Sequence, residues 1–136
     1  MTKLSGQERI KEKKTALSFF SDYKNLLQCV PGIKQINGKK FVIEASLGPL
    51  RAELTGEVKS YEFEGDVVKN LLEVQGPGLV VAIRTEVRLG ENSLEWTADY
   101  TMEGSLAKAL SNTISKQAEE VSRRIISCSI SKINQS

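Results

Sequence analysis

Two thiols, Cys29 and Cys128, are the only soft nucleophiles in a chain of 136 residues that contains no histidine. Histidine is the commonest general base and the commonest metal ligand, so its absence removes the simplest acid–base and metal sites. The two cysteines stand far apart in the sequence and match no zinc spacing. Cys29 falls at the C-terminal end of a short helical stretch, where the helix dipole disfavours a thiolate. Both cysteines are read as packed or pocket-lining thiols, since free cysteine is among the most buried residue types. Two cysteines do not make a disulfide scaffold. The Gly76-Pro77-Gly78 run has no following helix to cradle a phosphate and reads as a hairpin turn.

The carboxylates offer no paired acid and base either. Wherever residues alternate in period two, Glu44, Glu53, Glu57, Glu73, Glu86, Glu95 and Asp99 fall on the polar side. Only Asn70 and Thr85 are polar among the opposite, core-facing positions of the main strands. The expectation is therefore no enzyme, no catalytic residue, no metal and no cofactor. Lys108, Lys116, Arg123, Arg124 and Lys132 mark the last predicted helix, where they suit an acidic partner or anionic lipid. Glu119 and Glu120 interrupt that charge, as a solvated face would. A net charge of +2 gives no reason to expect nucleic acid.

The elements that position these residues follow from pattern. Leu4 to Lys14 reads as an edge strand. Thr15–Phe20 and Tyr23–Val30 read as short helices with Ser21-Asp22 as stop and cap. Pro31-Gly32 ends the helical part, and Asn37-Gly38 is a favoured tight hairpin turn after the strand Ile33–Ile36. From Lys40 the period becomes two. Phe41, Ile43, Ala45 and Leu47 share a face; Gly48-Pro49 turns. Further alternating runs lie between turns at Glu64-Gly65-Asp66, Gly76-Pro77-Gly78 and Gly90-Glu91-Asn92. Such alternation means antiparallel strands with one dry face. Leu106, Leu110, Ile114, Ala118, Val121, Ile125 and Cys128 form the stripe of an amphipathic helix over 105–132, about 42 Å long at 1.5 Å per residue. It is long enough to lie across the dry face of a seven-stranded sheet.

This order resembles the START-like (SRPBCC) helix-grip superfamily and, within it, the CoxG family, which takes its name from a subunit of carbon monoxide dehydrogenase. The segments that carry the resemblance are FFSDYKNLLQCVPGI, SLGPLRAELTGEV and ADYTMEGSLAKAL. It implies an α+β fold, β-α-α-β6-α, a seven-stranded antiparallel sheet wrapped around a long C-terminal helix, as one domain over 1–136. It also implies a non-catalytic protein accessory to a molybdenum-containing oxidoreductase. Two roles are attributed to such proteins: binding a lipid or quinone-like molecule in the grip cavity, or recruiting the partner enzyme to a membrane.

On this fold an apolar cavity between sheet and last helix is expected. Its expected lining is Leu26, Leu27, Val30 and Ile33 from the corner; Phe41, Ile43, Leu54, Leu72, Val81, Ile83, Trp96, Tyr100 and Met102 from the strands; and Leu110, Ile114 and Val121 from the helix. Trp96 and Tyr100 each carry one polar group that could orient a ligand. The N-terminus MTKLSGQERIKEKK lacks an apolar signal core, so the expected place is the cytoplasm, with peripheral membrane contact as the second reading. No tail resembling a membrane anchor follows the helix, so stable anchoring is not expected.

Overall fold

The computed structural model describes residues 2–47 and 49–135. Strand β1 (Thr2–Arg9) leads into α1 (Lys13–Phe20) and α2 (Tyr23–Leu27). Six strands follow: β2 (Ile33–Asn37), β3 (Lys40–Leu47), β4 (Leu50–Glu64), β5 (Val67–Gly76), β6 (Leu79–Leu89) and β7 (Ser93–Glu103). Helices α3 (Ser105–Ala109) and α4 (Ser111–Gln135) close the chain. The strands form one antiparallel sheet in the order β1-β7-β6-β5-β4-β3-β2. Consecutive strands pair because their connections are tight, and the N-terminal strand returns to pair with β7.

Local chemistry sets the boundaries. Asp22 caps α2 by accepting from the Lys24 N–H at 2.9 Å. The helix stops at Leu27, sooner than the expected Val30, because Gln28 to Val30 tighten into turns before Pro31. At the β2–β3 hairpin Gly38 takes a φ of 66°, which an Asn-Gly turn requires. The expected turn at Gly48-Pro49 falls on Gly48, outside the described residues. The sheet also holds two glycines under aromatic rings. Gly56 faces Phe41 across β3–β4, and Gly6 faces Trp96 across β1–β7. A Cβ on Gly6 would lie 2.6 Å from the Trp96 Nε1, so only glycine lets each ring lie flat on its neighbouring strand.

Two features depart from simple alternation. The register of β4 against β5 slips by one between Val58 and Ser60. This bulge at Lys59 swaps the faces beyond it and turns Tyr61 and Phe63 toward the interior. The Tyr61 hydroxyl then donates to the Phe20 carbonyl at 2.7 Å and ties the end of α1 to the sheet. The final helix, expected as one rod over 105–132, breaks at Leu110 (φ −118°, ψ 31°) and then runs on to Gln135. Its end is held: Ile133 is buried, the Lys11 N–H donates to Asn134 Oδ1 at 2.9 Å, and Asn134 Nδ2 donates to the Arg9 carbonyl at 3.3 Å.

Burial pushes the Tyr61 phenol well above its ordinary pKa of 10.0, and the nearby Asp22 carboxylate adds to the rise. A phenol held neutral by folding supports the folded state fully below pH 10.0 and loses that support as pH climbs past it toward the raised value. Tyr61→Phe is expected to cost about 1 kcal/mol at pH 7, from the unpaired Phe20 carbonyl. It should also flatten the alkaline decline of stability. Urea unfolding at neutral pH and above pH 10.0 measures both.

Candidate functional site

The concave face of the sheet receives α4, and the seat is built from small side chains. The buried positions of α4 are Ile114, Ala118, Ser122, Ile125, Ile126, Ser129 and Ile133. Val121 and Cys128, which an apolar-only count places at the centre of the stripe, are half-buried at its flank. The true centre carries Ala118, Ser122 and Ser129. The two serines can sit there because each bonds within its own helix: Ser122 Oγ donates to the Ala118 carbonyl and Ser129 Oγ to the Ile125 carbonyl, both at 2.8 Å. Their polarity is thus met without help from the sheet, and their small size lets the helix approach closely.

Between helix and sheet lies a cavity of about 10 Å³, lined by Leu26, Asn70, Leu72, Ile83, Thr85, Val87, Ala98, Ser122, Ile125 and Ile126. That volume accommodates about one water. Of the residues expected to line a lipid-sized cavity, Leu26, Leu72 and Ile83 do border this seam. Leu27, Val30, Phe41, Ile43, Leu54, Val81, Trp96, Tyr100 and Ile114 are buried elsewhere in the core, while Ile33, Met102, Leu110 and Val121 are half-buried at its margin. Sequence reasoning left out Val87, Ala98, Ile125 and Ile126 as lining residues, although the first three already stood on the core-facing pattern. Ser122 was missed because a serine carries no apolar signal.

The polar handles resolve differently from one another. The Tyr100 hydroxyl donates to the Ser115 carbonyl across a long 3.4 Å, so it tethers α4. Trp96 packs along β1, and its buried Nε1 has no hydrogen-bond partner among the described residues. The Arg123 guanidinium carbon sits 5.9 Å from the Trp96 ring centroid, in cation–π range. Arg124 pairs with Glu120 at 3.8 Å. Arg123 and Arg124 are therefore engaged within the molecule. Ion pairs such as Lys13–Asp66 (2.9 Å) and Lys34–Glu53 (3.1 Å) lie at the surface. The buried polar side chains among the described residues are Asn70, Ser122 and Ser129. Among the described residues no cluster of acidic, histidine or cysteine side chains could hold a metal ion. No described helix is long and apolar enough to cross a membrane.

The two cysteines are not the separate packed thiols expected from the sequence. Cys29 and Cys128 form a disulfide, with Cα atoms 5.5 Å apart across 99 positions of sequence. The reason is tertiary. Cys29 ends the turn after α2, and the fold lays the last third of α4 against that corner; spacing along the chain carries no sign of it.

Residues 6–134 match the family model for CoxG, described as a subunit of carbon monoxide dehydrogenase. No curated protein matches the chain in sequence at a significant level. Solved structures share the fold. A conserved protein from Geobacillus kaustophilus superposes with a TM-score of 0.66 at 16% identity, covering 98% of this chain and 95% of that one. Truncated norcoclaurine synthase from Thalictrum flavum gives 0.58 at 12% identity, covering 98% and 91%. Ara h 8.0201 gives 0.51 at 10% identity, covering 96% and 98%. At such identities these likenesses speak to the fold.

Removing the cross-link should release a large loop in the unfolded chain. The double variant Cys29→Ser, Cys128→Ser is expected to lose about 2–5 kcal/mol of stability. The untreated protein should lose a similar amount in a thiol reductant, whereas the variant should not respond to the reductant. Thermal unfolding with and without reductant checks this.

Proposed function

Since the chain belongs to the CoxG family of carbon monoxide dehydrogenase subunits, we propose that it is a non-catalytic binding protein of the helix-grip type. It holds a lipophilic small molecule, lipid or quinone-like, between the sheet and α4, and serves a molybdenum-containing oxidoreductase of the carbon monoxide dehydrogenase type. The observation that carries this reading is the character of the seam. Its lining is apolar but for Asn70, Thr85 and Ser122, and none of the described residues that border it is ionisable. Such a lining suits an apolar ligand with few polar contacts. It supplies no acid, base or nucleophile for bond-making.

The cavity of about 10 Å³ is closed, whereas a lipophilic ligand needs some hundreds of Å³. Binding therefore requires α4 to move, and the fold makes one end of it easier to move. The C-terminal half is fixed by the disulfide and by Asn134 bridging Arg9 and Lys11. The N-terminal half follows the break at Leu110 and is tethered by the long Tyr100–Ser115 bond. Lifting this half away from the sheet opens the seam without breaking the covalent anchor. The ligand then selects the open form and shifts the population toward it.

Incubation of the purified protein with a total lipid extract, followed by native mass spectrometry, is expected to show one apolar molecule retained per chain. Backbone hydrogen exchange over 111–121 should be faster than over 125–133 in the free protein and should change on binding. Failure to retain any molecule from extracts of its own source, together with uniform slow exchange along α4, would overturn the reading.

A further inference from the structure

We propose that Asn70, with Thr85 and Ser122, forms the polar anchor of the ligand site and selects lipophilic molecules whose head carries a hydrogen-bond donor such as a hydroxyl. The proposal rests on the reading of the seam as a lipophile site and specifies what that site recognises. Asn70 is only 4% exposed, and its Oδ1 is buried with no hydrogen-bond partner among the described residues. It occupies an inward position between Val68 and Leu72, both buried. Its direct cross-strand neighbours are Tyr61 and Thr85. The Tyr61 hydroxyl is committed to the Phe20 carbonyl and gives Asn70 no help. A buried acceptor left unpaired is costly, and the cavity beside it has room for the one small group, a water or a ligand hydroxyl, that would pair it.

The surroundings define the chemistry of what Asn70 would bind. Asn70, Thr85 and Ser122 all border the same small cavity, from β5, β6 and α4 respectively. The Ser122 proton is given to the Ala118 carbonyl, so toward the cavity this hydroxyl offers lone pairs. Two acceptors thus meet in an otherwise apolar seam, and Thr85 can serve as either partner. The complement is a donor, and about 10 Å³ admits one hydroxyl-sized group at this point. None of the described residues bordering the cavity is charged, so the head is neutral; of the ligand kinds proposed above, a hydroxylated lipid or a hydroquinone fits, and an oxidised quinone, whose oxygens only accept, does not. The apolar remainder of the ligand follows the seam toward the movable half of α4.

Matched probes test this in the full chain: dodecanol, which has a terminal hydroxyl, and dodecyl methyl ether, which has an acceptor only. The single tryptophan, Trp96, reports binding by fluorescence. The unmodified protein is expected to bind the alcohol about tenfold more tightly than the ether, the ratio expected from one net hydrogen bond. Asn70→Leu should lose most of that preference and should unfold at a higher temperature than the unmodified protein. Ser122→Ala, which keeps a good helix former, should lose a smaller part of it. Equal affinities in the unmodified protein would overturn the proposal while leaving the lipophile site standing. So would a preference undiminished in Asn70→Leu, or an Asn70→Leu protein that is less stable. If neither probe binds, the lipophile reading itself falls and the anchor falls with it.

Discussion

The close seating of α4 on the concave sheet governs the rest of this molecule. A sheet that is dry on one face must be covered, and here one helix does most of the covering. The distance at which it can sit is decided by the side chains at the contact. Ala118, Ser122 and Ser129 line the centre of that contact, with Ala98 on the sheet below. Small residues at these places bring helix and sheet together until the remaining space is about that of one water. Larger side chains would hold the helix away and leave a standing cavity. The closed state is thus a consequence of four small residues, and any larger guest must displace the helix itself.

The helix is held unequally along its length, and this gives the fold a direction of opening. A disulfide, a buried Ile133 and a doubly bonded Asn134 secure its last third. The first third starts at a broken backbone and, beside the buried Ile114 and Ala118, is tied by a long hydrogen bond from Tyr100. Local opening is easiest where few strong contacts must be lost at once.

Electrostatics sharpen the division between inside and outside. The ion pairs sit on the wet face or at loops, where they contribute little to stability. Inside, polarity is rationed to a few side chains, and most of it is internally satisfied. The serines of α4 bond back to their own helix, and Tyr61 and Tyr100 each reach a carbonyl. Asn70 and the Trp96 indole stand out because their buried polar atoms have no such partner among the described residues. The unpaired acceptor beside a small cavity is the observation from which the proposed polar anchor is inferred.

The sequence by itself determined the order of elements, the antiparallel meander and the inward faces of most strands. Those follow from periods of two and 3.6 and from turn residues at fixed places, all of which are local properties. The residues of the core, from Phe41 to Ile114, were legible for the same reason. Five things were decided only by the tertiary structure. The bulge at Lys59 redirects Tyr61 and Phe63, because the pairing of two strands fixes where an extra residue is absorbed. The break at Leu110, where the backbone leaves the helical region, divides α3 from α4 and has no proline or glycine to mark it in the sequence. The centre of the helix seat passes through serines, because contact distance selects for size, which hydrophobic periodicity does not register. Cys29 meets Cys128, and Asn70 meets Ser122 at one cavity, because residues remote in sequence become neighbours only when the sheet closes on its helix. Periodicity tells which side of an element is dry; only packing tells what that side touches.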